Sequence, residues 1–173
     1  MEKMSQASSN LLAWAGGLFD ADGCLTMYWE SHPKTAKHPY LKRTAVLDIR
    51  DEAAVDIFVH LFGGNKRLKQ TANDNHSNTF VWKASGAALD KFLSLITPYL
   101  ILKSAQAKLM AESFKVRGKT TKPITDQEQA ALIAFKEEMN ELNRTGVGKP
   151  QMKVLLGQQH RKLIPGENKE GFL

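Results

Sequence analysis

Hydrophobic and polar positions along the chain first indicate a helix that is apolar on nearly every side. Residues 11–19 read LLAWAGGLF, and Ser8, Ser9 and Asn10 offer N-caps immediately before them. A small domain has few places that would bury such a helix all round, whereas an interface between two subunits would provide one. We expect the helix to break at residues 20–23, Asp-Ala-Asp-Gly.

Alternation with a period of two predicts four strands in two pairs. Residues 24–30 and 44–50 form the first pair, and residues 65–70 and 79–84 form the second, each joined by a polar loop. The apolar face of these strands is expected to carry Leu25, Met27, Trp29, Ala45, Leu47, Ile49, Leu68, Phe80 and Trp82. The opposite face carries Thr, Tyr, Arg and Lys instead of a second apolar stripe. Both a solvated sheet face and a nucleic-acid platform fit this pattern.

Helix start and stop signals place further helices between and after the strands. Asp51 is expected to cap a helix that ends at the Gly63–Gly64 pair, and Ser85 is expected to cap the next one. A longer helix is expected from about residue 100 to residue 114, and residues 125–128 (TDQE) fit a capping box for a last helix. The order α-β-β-α-β-β-α with extra C-terminal helices predicts an α+β fold, with helices on one face of a four-stranded antiparallel sheet.

The composition gives the protein a net positive charge and argues against several classes of protein. The 173 residues include 24 Lys and Arg against 18 Asp and Glu, which gives a formal charge of +6 and a pI near 9.4. Such a surplus fits a polyanionic partner, although many basic proteins bind none. The single cysteine, Cys24, excludes an intrachain disulfide, and no Cys and His residues have the spacing of a zinc site.

The chain is long enough for one domain with a substantial core, since 42% of its residues are apolar. We assign residues 1–146 to this domain and residues 147–173 to a basic tail that packs on it or extends it. No apolar run approaches the roughly 20 residues that span a bilayer, and the N-terminus lacks the apolar stretch of a signal peptide. We therefore expect an intracellular protein without a membrane partner.

Residues 15–23, AGGLFDADG, resemble the LAGLIDADG signature of homing endonucleases. The last five, F-D-A-D-G, match closely, whereas Ala15-Gly16 stands where Leu-Ala is usual. Small residues let two helices approach closely, and Asp20 and Asp22 would emerge at the helix end beside the sheet. Juxtaposed carboxylates need a cation to neutralise them, and hard divalent ions prefer oxygen ligands. A plain turn would also explain D-A-D-G alone, but the preceding helix and the following strand order favour the family.

A second resemblance lies far downstream, in residues 97–107 (TPYLILKSAQA). These residues are similar to the P-[FY]-L-x-x-K-x-x-Q-A block of family members that carry a single motif. The lysine of that block lies in the active site, which implies the same position for Lys103. A lysine on a helix surface is the alternative explanation for Lys103 taken by itself. Gln106 also matches the block, but no catalytic role is assigned to it.

The resemblance, which covers roughly residues 8–116, implies a site-specific DNA homing endonuclease. Because the motif occurs once, the active form is expected to be a symmetric homodimer that cuts both strands of a long pseudo-palindromic DNA site. The implied cofactor is Mg²⁺, for which Mn²⁺ would substitute, whereas Ca²⁺ would bind without supporting cleavage.

Specific residues are implied for the catalytic site and for the dimer. Asp22 and the main-chain carbonyl of Ala21 would bind the metal. Lys103 would stabilise charge. Asp48 is the candidate for the position at which the second strand of the family often ends in a polar residue, commonly Gln, that contacts the water network of the catalytic site. The expected dimer interface comprises Ala13, Gly16, Gly17 and Asp20.

The polar face of the sheet is the expected DNA surface, since β-ribbons can enter the major groove. Its candidate contacts are Thr26, Tyr28, Glu30, Arg43, Thr44, Val46, Arg50, Arg67, Lys69, Thr79, Val81 and Lys83. Glu30 fits such a surface because a carboxylate can accept a hydrogen bond from cytosine N4. Arg144 and Lys149 are further candidates for DNA backbone contacts, although solvated charge in a loop explains them equally well.

Cleavage by such an enzyme would promote the copying of a mobile intron or intein, in a bacterium, a phage or an organelle. The alternative function is a non-cleaving nucleic-acid binder on the same fold, either an RNA maturase that binds intron RNA or a regulator. A third interpretation is a basic α+β interaction domain with an accidental motif. It predicts no dimer through the first helix and no metal dependence.

Overall fold

The structure, a computed structural model, describes residues 2–31, 39–70, 78–117 and 124–145, without the side chains of residues 2–7 and 145. The two expected inter-strand loops lie largely outside these ranges. Lys149 and the expected domain boundary at residue 147 also lie outside them. None of the described helices is long and apolar enough to cross a membrane.

The helices and strands of the described chain follow one another in the expected order. They are α1 (Glu2–Asp22), β1 (Gly23–Glu30), β2 (Tyr40–Ile49), α2 (Glu52–Phe62), β3 (Asn65–Lys69), β4 (Thr79–Ala84), α3 (Ala87–Ile96), α4 (Ser104–Val116) and α5 (Asp126–Thr145). A 3-10 turn, Thr97–Tyr99, follows α3. The fold is α+β, and the order α-β-β-α-β-β-α with extra C-terminal helices is confirmed.

The four strands form one antiparallel sheet in the order β1-β2-β4-β3. Thr26 of β1 pairs with Thr44 of β2, and Leu47 of β2 pairs with Trp82 of β4. Side chains alternate across a strand, so this register gathers the apolar stripe on one face, where Leu25, Leu47 and Trp82 are buried under the helices. The expectation of one apolar and one polar face is confirmed.

Five aromatic rings fix the C-terminal half of α1 against the sheet. They are Phe19, Phe58, Phe62, Trp82 and Phe92, all buried. The ring centroid of Phe19 lies 4.7 Å from that of Phe92 and 6.3 Å from that of Trp82. Aromatic pairs at such distances contribute about 0.5–1.5 kcal/mol each beyond the burial of area. The end of α1, which carries both aspartates of the motif, is therefore held rigidly relative to the sheet.

Helix α1 is longer than the sequence pattern suggested at both of its ends. It does not break at residues 20–23 but continues to Asp22 and passes directly into β1 at Gly23. This sharp junction needs a glycine, because a Cβ at Gly23 would lie 2.5 Å from the main-chain oxygen of Phe19. At the other end, residues 8–10 lie within the helix and are not its N-cap.

The N-caps of α2 and α5 are those expected from the sequence. The carboxylate of Asp51 accepts a hydrogen bond at 3.1 Å from the main-chain N–H three residues on, and Thr125 and Glu128 form a reciprocal capping box. The prediction for α3 was wrong, since its N-cap is Gly86 and not Ser85. Gly86 has a φ of 56°, a conformation that glycine adopts without the steric cost of a side chain.

Candidate active site

The last turn of α1 presents one carboxylate to solvent. Asp22 is exposed, as is Ala21, and among the described residues nothing donates a hydrogen bond to the Asp22 carboxylate or forms an ion pair with it. The C-terminus of a helix carries a partial negative charge from its unpaired carbonyl groups. A carboxylate at this end of α1 adds to that negative potential, and the site therefore attracts cations.

Asp20, two residues earlier, points the other way and is only 7% exposed. Its carboxylate accepts hydrogen bonds from three successive main-chain N–H groups, those of Ile101 at 2.6 Å, Leu102 at 3.0 Å and Lys103 at 2.9 Å. The expectation that Asp20 contributes to a dimer interface is therefore corrected. The physical reason is that N–H groups ahead of a helix lack helical partners, and a buried carboxylate satisfies them within the chain.

The side chain of Lys103 also binds Asp20, this time as the donor to its main chain. Its ammonium group donates a hydrogen bond to the main-chain oxygen of Asp20, 83 positions away in sequence. The two segments that the sequence identified separately, the motif and the PYLILK block, are thus joined. Lys103 precedes α4, which begins at Ser104 and not near residue 100 as expected, and its side chain reaches the end of α1 beside Ala21.

A cleft of about 630 Å³ lies between the end of α1 and the segment that joins β2 to α2. Asp22, Asp48, Arg50 and Thr79 are among the residues that line it. Lys69 donates a hydrogen bond to Oδ2 of Asp48 at 2.7 Å, and this bond holds the pKa of Asp48 below its usual value. Asp48 therefore shares a cleft with Asp22, as the sequence suggested, but its charge is balanced by a lysine on β3.

The strand register brings most of the candidate contacts together on the open face of the sheet, opposite the helices. They are Thr26, Tyr28, Glu30, Thr44, Val46, Arg67, Lys69, Thr79, Val81 and Lys83, with Arg50 just beyond the end of β2. The hydroxyl groups of Thr26 and Thr44 hydrogen-bond to each other at 2.8 Å across the two strands. This face thus combines hydroxyl groups with several positive charges.

No protein-family model matches the chain, and no curated protein matches it in sequence. Solved structures do match. The homing endonuclease I-CvuI, in complex with a DNA target, is 22% identical with a TM-score of 0.61, over 76% of this chain and 80% of that one. The archaeal intron-encoded homing endonuclease I-Vdi141I, complexed with DNA, is 15% identical with a TM-score of 0.62, over 78% and 85%. The LAGLIDADG homing endonuclease I-GzeII, in complex with its DNA target, is 14% identical with a TM-score of 0.55, over 74% and 43%.

The chain has the LAGLIDADG homing endonuclease fold. In this fold, α1 presents a face of small residues to solvent. Ala13, Gly17 and Ala21 are exposed at helical spacing, and among the described residues a Cβ at Gly17 would meet nothing within 4 Å outside its own helix. Gly16 was expected beside Gly17 in the dimer interface, but it points inward, where a Cβ would lie 2.8 Å from the Cβ of Tyr99. Because successive helical residues are rotated by about 100°, the two glycines serve different contacts.

Arg43 does not lie on the open face of the LAGLIDADG sheet, and its assignment as a DNA contact is corrected. It shares the helix-covered face, where its guanidinium donates to Oγ and the main-chain oxygen of Ser113, both at 2.7 Å, and lies 4.5 Å from the ring centre of Phe114. Burial lowers the pKa of Arg43. The alternation of β2 already carried this signal, since Arg43 has the same parity as the core residue Ala45.

Some open-face residues are less available to a partner than the sequence suggested. Thr44 and Val81 are only 1% and 2% exposed, because they lie on the two central strands between longer side chains. The carboxylate of Glu30 is already engaged, since it accepts hydrogen bonds from Tyr40 and from Lys42.

The structure places two further basic residues, Lys42 and Arg144, differently from what the sequence predicted. Lys42 was missed because β2 was expected to begin at residue 44, yet it lies directly opposite Tyr28 on the open face. Continuing the alternation by two residues would have found it. Arg144 lies at the end of α5 and is paired with Glu141 at 2.7 Å. Lys149 lies outside the described residues.

The LAGLIDADG fold implies a divalent cation, and the donors at the end of α1 fit one. The Asp22 carboxylate and the Ala21 carbonyl are hard oxygen donors, which Mg²⁺ prefers. The described residues contain no cluster of three His, Cys, Asp or Glu side chains that could enclose a metal. Mg²⁺ is usually held by one or two carboxylates and completes its shell with water and phosphate oxygens. These residues therefore fit a metal site that other molecules complete.

Proposed function

We propose that this protein is a homing endonuclease that cuts both strands of a specific DNA site with the help of Mg²⁺. The observation that carries the proposal is the arrangement at the end of α1. There the exposed carboxylate of Asp22, which has no hydrogen-bond or ion-pair partner among the described residues, lines the cleft at the edge of a polar sheet face. The ammonium group of Lys103 binds the main-chain oxygen of Asp20 in the same turn of α1. DNA-bound homing endonucleases with the same fold support it.

In the proposed site, Asp22 and the main-chain carbonyl of Ala21 hold the metal. Bound Mg²⁺ would neutralise the carboxylate, polarise the scissile phosphate and activate water for attack. Lys103 adds a fixed positive charge next to Ala21, where it would stabilise the negative charge that develops on the phosphate. Asp48 is ionised at neutral pH, as an ordinary aspartate is, and the hydrogen bond from Lys69 lowers its pKa further. It contributes an acceptor to the same cleft.

The proposed active form is a homodimer through the exposed face of α1. Among the described residues, Asp22 is the unpaired carboxylate at this end of the sheet, and cutting two strands calls for two such sites. Ala13, Gly17 and Ala21 leave the backbone of α1 open to close approach by another helix. A second copy packed there would bring its own Asp22 near the first, and bound divalent cations would offset the repulsion between the two carboxylates.

The open face of the sheet is the proposed DNA surface. Its positive side chains, Lys42, Arg67, Lys69 and Lys83, would bind phosphates or guanine edges, and its hydroxyl groups would contact bases. The net charge of +6 favours association with a polyanion. Cleavage of an uninterrupted allele would then promote the spread of the intron or intein that encodes the protein, in a bacterial or phage cytoplasm or in an organelle.

The test compares the wild type with Asp22→Asn. The substrate is DNA from an uninterrupted allele, spanning the site at which the intron or intein that encodes the protein is inserted. We expect double-strand cleavage by the wild type in Mg²⁺ or Mn²⁺, binding without cleavage in Ca²⁺, and loss of cleavage with retained binding in the variant. Asp56→Asn is the matched control, because Asp56 lies on α2 and pairs with Lys66 on the helix side. Tight binding without cleavage by the wild type would overturn the proposal and favour a non-cleaving DNA binder or an intron-RNA maturase.

A further inference from the structure

The first aspartate of the motif is buried in a contact that the proposed metal site does not use. Asp20 is 7% exposed, and its two carboxylate oxygens together accept hydrogen bonds from the main-chain N–H groups of Ile101, Leu102 and Lys103. We propose that Asp20 is a positioning residue that fixes the Lys103 ammonium at the end of α1, the turn that also carries Asp22. This inference rests on the proposed function, since it assigns Lys103 a part in cleavage.

The three N–H groups form a concave anion site at the start of α4. Such consecutive main-chain donors attract a negative group, and the N-terminus of a helix adds a partial positive charge. Lys103 is the N-cap residue of α4, and its own side chain makes no capping hydrogen bond. The carboxylate of Asp20 therefore binds the three residues directly ahead of α4 from a different helix, and hydrogen bonds of this kind are strengthened by the charge of the acceptor.

The same contact determines where the side chain of Lys103 lies. Its ammonium donates back to the main-chain oxygen of Asp20, so backbone and side chain of Lys103 are both held by one residue. Asp22 is held independently, because the aromatic packing of Phe19 fixes the end of α1 against the sheet. Loss of the Asp20 carboxylate would therefore displace Lys103 while leaving Asp22 in place.

A positioning role and a merely structural one predict different kinetics. If Asp20 only stabilised the fold, its loss would lower the melting temperature and would add to the effect of a Lys103 substitution. If it acts through Lys103, its loss lowers the rate of cleavage without weakening DNA binding, and it costs nothing once the ammonium has been removed.

The experiment measures single-turnover cleavage in Mg²⁺ and DNA affinity in Ca²⁺ for the full chain, in Asp20→Asn, Lys103→Met and the double variant. We expect Asp20→Asn to slow cleavage by roughly tenfold or more, since small misplacements of a catalytic group are costly. Its DNA affinity should change by less than about twofold, and in the Lys103→Met background the same substitution should change the residual rate by less than about twofold. Equal losses in both backgrounds would overturn the proposal.

Two additions keep the result interpretable. Thr125→Ala removes the N-cap of α5, far from Lys103, and should lower stability while leaving the cleavage rate unchanged at temperatures where the variant is folded. Asp20→Ser replaces Asp20→Asn if the latter does not fold. Equal slowing by Thr125→Ala would also overturn the positioning role.

Hydrogen exchange of the N–H groups of residues 101–103 provides a readout that does not need cleavage. We expect faster exchange at these three positions in Asp20→Asn, with the amides of α2 unchanged. If the wild type fails to cut DNA, the proposed function fails, yet the exchange result still decides whether Asp20 holds the segment. Unchanged exchange at residues 101–103 would contradict the proposed contact itself.

Discussion

Gly16 and Tyr99 pack so closely that a Cβ on Gly16 would lie 2.8 Å from both the Cβ and the main-chain oxygen of Tyr99. The glycine therefore belongs to the contact between α1 and the 3-10 turn Thr97–Tyr99, ahead of the segment that carries Lys103. Its neighbour Gly17 faces open space. Two adjacent glycines of one motif thus have separable effects on folding and on association.

Gly16→Ala should destabilise each subunit. The new methyl group would overlap Tyr99, and overpacking of this kind costs about 1–3 kcal/mol. Urea denaturation measures the free energy of unfolding. Gly17→Ala is the matched control, and in the monomeric subunit, measured at protein concentrations too low for dimers, it should be neutral or stabilising by up to about 1 kcal/mol, because alanine is favoured over glycine within a helix. Equal effects of the two substitutions would contradict the assignment of Gly16 to an intrachain contact.

Gly17→Leu should convert a dimer into a monomer without unfolding the chain. A bulky side chain on the exposed face of α1 would keep a second helix from approaching. Within the described part of the same subunit, a Cβ at Gly17 meets nothing within 4 Å outside its own helix. Sedimentation equilibrium of the wild type and the variant measures the mass. Ala134→Leu, on the exposed side of α5, is the control and should remain dimeric. A wild type that is monomeric both alone and on DNA would remove the homodimer from this account.

Arg43→Met should weaken the fold and leave DNA recognition alone. Arg43 donates to two oxygens of Ser113, and hydrogen bonds that involve a charged group contribute about 1.5–3 kcal/mol each. Arg67→Met, on the open face, should instead leave stability nearly unchanged and reduce the salt dependence of DNA binding by roughly one counterion per subunit. Binding titrations over a range of salt concentrations test both. If DNA binding by Arg43→Met depended less on salt than DNA binding by the wild type, the placement of Arg43 on the helix-covered face would be contradicted.

Lys69→Met should lower stability at neutral pH but not in strong acid. The hydrogen bond from Lys69 lowers the pKa of Asp48 in the folded state, so its contribution is present above the unfolded value, about 4, and is lost as the pH falls through the lowered value. Because the pair is partly exposed, with Lys69 at 55%, the effect should be under about 1 kcal/mol. Denaturation at pH 7 and pH 2 measures it, with Lys83→Met as the control. A difference that persists at pH 2 would contradict this origin.

Much of the fold followed from periodicity because the strands have one buried face. The alternation around Leu25 and Leu47 fixes which side chains face the helices, and the same parity would have placed Arg43 correctly had it been applied strictly. The caps at Asp51 and Thr125 were recognisable because capping depends on local sequence.

The buried face of α1 was harder to predict, because the sequence of a helix that is apolar on nearly every side does not indicate which side faces the core. Gly16 and Asp20 were consequently assigned to an interface, although both contact the segment around residues 99–103. That contact joins positions about 80 residues apart and depends on tertiary packing, which no local pattern contains. The match of Lys103 to a known block located the residue, but not its partner.

The most direct test of the account is to map the cut positions on both strands of the DNA insertion site after incubation with the wild-type protein and Mg²⁺. We expect one cut in each strand, at a fixed offset from one another, and neither cut with Asp22→Asn. DNA that stays intact in Mg²⁺ and in Mn²⁺ while the protein remains bound to it would contradict the account.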